Sequence, residues 1–220
     1  MAEQFQSVLK VRNQDFSQSG VLPSHSMQVA FILLDQFSLT SLSTALDVLS
    51  TGAALERGVD YRISTWSLEG GMVHSDVGVA VDTQRLALGR LQPQMLVVVG
   101  GHRVKLVPHS LLSRVLRRAA SQRAVVCGLW NAAFHLAEAG LLDGLKATTH
   151  WMDLERLKRD YPAVDVQSDV KFVDQGWIIT SGGISAGIHM SLHLVGRYLG
   201  TDAANTTAKR MEYDWRASET

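Results

Sequence analysis

Val125-Val126-Cys127-Gly128-Leu129-Trp130-Asn131-Ala132-Ala133-Phe134 is the stretch that decides the reading of this chain. Its first half is a continuous apolar run of strand length, as expected for a strand covered on both faces. Its second half opens a helix. A buried strand that turns sharply into a helix forms an elbow. In enzymes built this way the residue at the turn is a nucleophile, held exposed by backbone strain. Here that residue is Trp130, whose indole offers one N–H donor and a broad apolar face and cannot attack anything.

Outward from the elbow, strands and helices alternate. Strands are predicted over Val29–Leu34, Tyr61–Leu68, Val77–Val81, Met95–Val99 and Lys146–Thr149, with a hairpin of Lys171–Val173 and Trp177–Thr180 around Gln175-Gly176. Helices are predicted over Leu39–Leu49, Ser110–Ser121, Asn131–Ala139, Met152–Asp160 and, last, Ile184–Leu199. On the first, Leu42, Ala45, Leu46 and Leu49 share one face. Tyr161-Pro162 ends the fourth, because proline disfavours helical geometry in the residue before it. The pattern implies an α/β fold, a three-layer sandwich with a mostly parallel sheet. Sites on such sheets lie at the carboxyl ends of the strands, where Gly101, Trp130 and the following helix start converge.

Composition narrows the class. A chain of 220 residues, 46% hydrophobic and 19% charged, has the make-up of an ordinary globular protein with one sizeable core. Lys+Arg 21 against Asp+Glu 21 leaves no basic excess, which argues against DNA contact by this chain alone. No run of about 18 apolar residues suggests a membrane span, and no basic-then-apolar signal pattern opens the chain. The single cysteine, Cys127, excludes an intrachain disulfide and fits a reducing, cytoplasmic setting. Residues 1–26 are polar and rich in Gln and Ser, and read as a flexible arm that joins no sheet. Regular structure is expected from Met27, a possible translation start, and residues 27–220 are read as a single domain.

Several short motifs together resemble the ThiJ/PfpI superfamily, with its flavodoxin-like, class-I glutamine-amidotransferase-like fold. They are Phe37-Ser38-Leu39, Val99-Gly100-Gly101, Leu136 through Gly144, Ala147-Thr148-Thr149-His150-Trp151, Tyr161-Pro162 and Thr180 through Gly187. The likeness runs from about Met27 to Leu199. It is nearest to the sensor domains of AraC-type transcriptional regulators, and next to stand-alone isonitrile-hydratase-like enzymes. The resemblance implies Cys at the elbow of the family's enzymes, where this chain has Trp130. It also implies an Asp on the first helix, facing that Cys in the hydratase-like members, where this chain has Ser41. Asp47 keeps an acidic position further along the same helix. A thiolate needs a sulfur at the point of exposure, so covalent catalysis at this elbow is not expected.

The resemblance also nominates pocket residues, each with a plainer alternative. Trp130 is either a stacking wall for a cationic or planar ligand or filler of the old reaction pocket. Asn131 stands where helix-start N–H groups favour an anion or carbonyl oxygen, yet Asn is also a common cap. His150 is a hydrogen-bond partner, a pH-sensitive contact or a structural His. Gly101 and His102 lie in the loop that forms an oxyanion pocket in catalytic relatives. Asp47 suits a cationic ligand or a solvated helix face. Cys127, inside an apolar strand, reads as a small buried hydrophobe. His189 and His193 stand at metal-ligand spacing, but no third ligand is evident and a packed pair is the better reading. Arg114, Arg117, Arg118 and Arg123 read as a solvated face, and neither glycine pair has dinucleotide-binding spacing.

The expectation is therefore a non-catalytic, small-molecule-sensing domain of an AraC-type regulator, needing no cofactor. Its effector would be an amino acid or a quaternary amine, and it would act as a homodimer. DNA would be bound only through a helix-turn-helix region absent from this chain, which then reads as a piece of a longer regulator. The alternatives are a stand-alone enzyme resembling isonitrile hydratase, favoured by the tail Met211-Glu212-Tyr213-Asp214, and a pseudo-enzyme dimer scaffold.

Overall fold

Alternate residues of the central strands enter opposite cores, which makes the fold a three-layer sandwich. A computed structural model describes residues 25–55 and 59–215. Its central sheet has eight strands: β1 (His25–Leu33), β2 (Val59–Ser67), β3 (Gly71–His74), β4 (Ala80–Arg85), β5 (Met95–Val99), β6 (Val125–Leu129), β9 (Phe172–Asp174) and β10 (Ile178–Ser181). The order is β3-β4-β2-β1-β5-β6-β10-β9. Pairing is parallel throughout except at the two edges, β3 with β4 and β9 with β10. Val29, Phe31, Leu33, Val97, Cys127 and Leu129 face one core, whereas Ala30, Ile32, Leu96, Val98 and Val126 face the other.

The first core lies under helices α1 (Leu39–Leu55), α5 (Ile184–Leu199) and α6 (Thr201–Arg210). The second lies under α2 (Ser110–Ser121), α3 (Ala133–Glu138) and α4 (Leu154–Asp160). Helix α2 buries Leu112, Val115, Leu116 and Ala119 and turns Arg114, Arg117 and Arg118 to solvent, as its pattern requires. A small second sheet pairs β7 (Lys146–Ala147) with β8 (Asp165–Val166).

Strand order reverses between β1 and β5. The crevice beyond their carboxyl ends is where such sheets bind ligands. Ser38 leaves β1 and caps α1, its Oγ accepting from the amide of Ser41 at 3.2 Å. Its own amide donates to the carbonyl of Gly100 at 2.9 Å, closing the crevice floor.

The structure departs from the sequence reading in several places, among them the unpredicted strands β3 and β8 and the extension of α1 to Leu55. β1 begins at His25, not Met27, because His25 and Ser26 pair with Val59 and Asp60; residues 1–24 of the expected arm lie outside the described residues. The Val77–Val81 strand is instead a turn leading into β4. Gly78 has φ 83°, and Val77 and Val79 stand exposed, so apolar β-formers here mark a loop tip. The expected strand Lys146–Thr149 stops at Ala147. Finally, Ile184–Leu199 is not the last helix. Helix α6 was missed because its buried face consists of Ala203, Ala204, Thr207 and Ala208, too weakly apolar to give a pattern.

Gly52 lies inside α1 rather than at its end. A Cβ there would stand 2.9 Å from both methyls of Val195 on α5. Gly52→Ala gains about 1 kcal/mol of helix propensity, but overpacking costs about 1–3 kcal/mol. A net loss is expected in urea unfolding, and the Gly52→Ala/Val195→Ala pair is expected to be more stable than the two single losses summed.

Candidate functional site

Trp130 is the elbow in fact as well as in pattern. It has φ 60°, between β6 and a short 3-10 turn over Trp130–Ala132. A non-glycine residue in this left-handed region costs roughly 1–2 kcal/mol. Two bonds hold it there. Its amide donates to the carbonyl of Gly182 at 3.0 Å, and its carbonyl accepts from Thr149 Oγ1 at 3.0 Å. Both partners lie on neighbouring segments, so the strain is imposed by the surroundings.

The half-buried indole then meets imidazoles. Its ring lies 4.6 Å from that of His150 with an interplanar angle of 16°, a stacked pair. His102 lies 6.1 Å away on a tilted ring, and Trp151, 74% exposed, continues past His150 at 5.6 Å. The result is a row of rings along the carboxyl end of the sheet, with exposed Met152 next to Trp151 in sequence. Gly183 is part of the fit, since a Cβ there would press 3.0 Å from the His150 ring. His102 Nδ1 is 3.7 Å from the Asp76 carboxylate. Asp76 also accepts from the amide of Leu39 at the start of α1. Burial pushes the His150 pKa below its ordinary value, with His102 adding to the shift and Asp153 opposing it. The neutral ring's Nδ1 accepts from the amide of Met152 at 3.4 Å.

Asn131 and Gly101 face each other rather than a ligand. Asn131 Oδ1 accepts from the Gly101 amide at 3.0 Å, and its Nδ2 donates to the Gly101 carbonyl at 2.9 Å. The Asn is buried and both ends of its carboxamide are used. The Gly101 N–H, in the loop read from the resemblance as pocket rim, is thus already occupied. Ser41 is buried, and its hydroxyl has no hydrogen-bond partner among the described residues. Asp47 is exposed and lies six residues further along α1, about 9 Å of rise beyond Ser41. The structure therefore brings Trp130, His150 and His102 together, ties Asn131 to Gly101 behind them, and leaves Asp47 apart.

Asp76, Thr149, Gly182 and Gly183 join the site without having been singled out. Thr149, Gly182 and Gly183 lay within the quoted motifs. Asp76 carries no sequence signal, because the valines beside it read as a strand rather than as the turn of the β3–β4 hairpin. The remaining candidates are structural. Cys127 is fully buried, and desolvation pushes its thiol far up. His193 Nε2 is 2.7 Å from Asp174, and His189 packs edge-on against Tyr213. Among the described residues no group of three or more His, Cys, Asp or Glu could hold a metal ion.

With this geometry in view, comparison with known proteins gives a consistent result. The family model for the DJ-1/PfpI family matches residues 27–197. The HTH-type transcriptional regulator GbdR of Pseudomonas aeruginosa is 29% identical over 201 residues, covering 89% of this chain and 53% of the regulator. GlxA of Rhizobium meliloti, another HTH-type transcriptional regulator, is 30% identical over 189 residues, covering 86% and 56%. The chain thus spans about half the length of these curated relatives. Among solved structures, an AraC family transcriptional regulator from Pseudomonas putida superposes with a TM-score of 0.78 at 28% identity, covering 84% of this chain and 99% of that one.

Two outcomes test the site. Asn131→Ala strands a buried N–H and a buried C=O of Gly101 and is expected to cost about 2–4 kcal/mol in denaturant unfolding. His150 resists protonation when folded, so the unfolded chain binds the extra proton. Its contribution to stability is complete above the ordinary value of 6.5 and is lost as pH falls through the lowered folded value. His150→Gln is therefore expected to flatten part of the loss of stability measured below pH 6.5.

Proposed function

The chain belongs to the DJ-1/PfpI family, and from that premise we propose that it is the effector-sensing domain of an AraC-type regulator, without family enzyme chemistry. The observation that carries this reading is Trp130 itself. A bulky, non-nucleophilic ring occupies the strained elbow and is stacked on His150. Cys127 offers no substitute, being buried with its thiol held protonated. The helix-turn-helix regulators among the relatives, each about twice the length of the matched region, support placing DNA contact in a separate part of the protein.

The effector is an amino acid or a quaternary amine. A cationic head packs against the part of the indole that His150 leaves uncovered, where cation–π attraction is worth about 0.5–2 kcal/mol. Asp76, already beside His102, supplies a balancing carboxylate. The regulator works as a homodimer in the cytoplasm. Effector binding favours one dimer arrangement to the extent that it binds the two arrangements with different affinity.

A thermal-shift screen of amino acids and betaines tests the proposal. An effector at about 100 times its Kd adds about 2.7 kcal/mol, which raises the Tm of a chain this size by roughly 5–10 °C. Trp130→Gly relieves about 1–2 kcal/mol of backbone strain, offsetting part of the lost packing, and is expected to abolish the shift. Isonitrile turnover that survives Cys127→Ser and is lost in Trp130→Gly would overturn the non-catalytic reading.

A further inference from the structure

The indole of Trp130 is already shared. The His150 ring covers part of it, stacked at 4.6 Å with an interplanar angle of 16°. Whatever packs on the rest of the indole therefore lies beside an imidazole whose charge depends on pH. The His150 ring is half-buried, so solvent screens that charge only in part. A neutral imidazole stacks as a flat apolar body. An imidazolium on the same indole is itself the cation of a cation–π pair. One proton thus turns His150 from a wall of the site into a competitor for its aromatic surface.

The surroundings hold that proton off at neutral pH. His150 Nδ1 accepts from the amide of Met152 at 3.4 Å, so it carries a lone pair in the neutral ring. It is the nitrogen that must take the second proton, and taking it sets one donor against another. Burial disfavours the charged ring, and His102, from the loop after β5, adds to that effect. Asp153, in the same short turn as Trp151, opposes it. Asp76, from the β3–β4 turn, stands 3.7 Å from His102 and balances that ring. Helix α5 starts against the edge of His150, where a Cβ on Gly183 would stand 3.0 Å from Cδ2 and 3.5 Å from Nε2. Its first turn carries no acidic residue, and its positive end opposes a further positive charge. The turn Trp130–Ala132 adds no charged side chain.

We propose that His150 makes cation binding at the indole proton-dependent: the neutral ring admits a quaternary ammonium head, and a proton on Nδ1 excludes it by placing a like charge on the same indole. This rests on the sensing role proposed above and adds a regulator to it. The sign follows from linkage. Affinity for a cation is complete above the ordinary value of 6.5 and is lost as pH falls through the lowered folded value. Reciprocally, a bound cation lowers the titration midpoint of His150 further.

Tetramethylammonium is the probe, because it has no proton to titrate, and tert-butanol is its uncharged counterpart. Both are titrated against the whole chain by NMR at about pH 8 and about pH 4.5, on either side of the histidine range, with circular dichroism confirming the fold at each pH. The tetramethylammonium affinity is expected to fall at least about fivefold at the lower pH, the ratio set by two like charges about 4 Å apart in water. The tert-butanol affinity is expected to stay level. The fall is expected to disappear in His150→Gln and to persist in His102→Gln, where the charge removed is one that Asp76 balances. In the unaltered chain, the His150 midpoint is expected to move down when tetramethylammonium is bound. Equal tetramethylammonium affinities at the two pH values, a matching fall for tert-butanol, a fall that survives His150→Gln or vanishes in His102→Gln, or an unmoved midpoint would each overturn the proposal and leave the sensing role standing. Tetramethylammonium that binds at neither pH would overturn both this proposal and the cationic effector above.

Discussion

The pairing of the Asn131 carboxamide with the Gly101 backbone is the constraint on which the carboxyl end of this sheet depends. It ties the exit of β5 to the exit of β6 beside the point where strand order reverses. The approach is close enough to dictate residue type. A Cβ on Gly100 would overlap Asn131 Oδ1, and one on Gly101 would stand 2.6 Å from the amide of Ser38. Both glycines are therefore required for space rather than for turn geometry. The clamp also has a chemical consequence. It occupies the Gly101 N–H, so the loop is stiffened at the expense of a free donor.

Around that clamp the elbow trades one form of free energy for another. Holding Trp130 at φ 60° costs roughly 1–2 kcal/mol. The two backbone bonds to Gly182 and Thr149 keep it there, and the stack on His150 returns about 0.5–1.5 kcal/mol beyond simple burial. Strain of this kind persists when a fold needs a side chain presented at the rim. Here the side chain presented is a flat apolar surface bordered by imidazoles. The indole itself offers no nucleophilic atom.

Much of this was legible in the sequence because it was written in strong local signals. The apolar runs of β1, β5 and β6 could be buried only in a sheet covered on both faces, and the elbow followed from the one between Val125 and Leu129. What escaped depended on contacts between distant residues. Asn131 is an ordinary cap residue in the sequence, and only the approach of Gly101, thirty positions away, turns its side chain inward. Asp47 sits on the same helix as Ser41, and only the rotation and rise of α1 decide that one is buried and the other exposed. Asp76 arrives on a hairpin whose valines imitate a strand at its tip. Helix α6 hides behind alanines.

The loop from Gly101 to His109 serves two surfaces at once. His102 turns toward Trp130 and Asp76, while Arg103, Val104 and His109 line a small cavity on the other side. Its internal backbone bonds among the described residues are Val104 to Gly101 and Val107 to Lys105, and Asn131 and Glu138 fasten its two ends. A segment anchored at its ends and sparsely bonded between them opens at a lower free energy than the strands beneath it. A coupling between the indole surface and the cavity has two routes, the position of this loop and the continuous turn and helix from Trp130 to His135. By linkage such coupling is reciprocal: an occupant that alters binding beside Trp130 is itself altered, by the same factor, by whatever binds there.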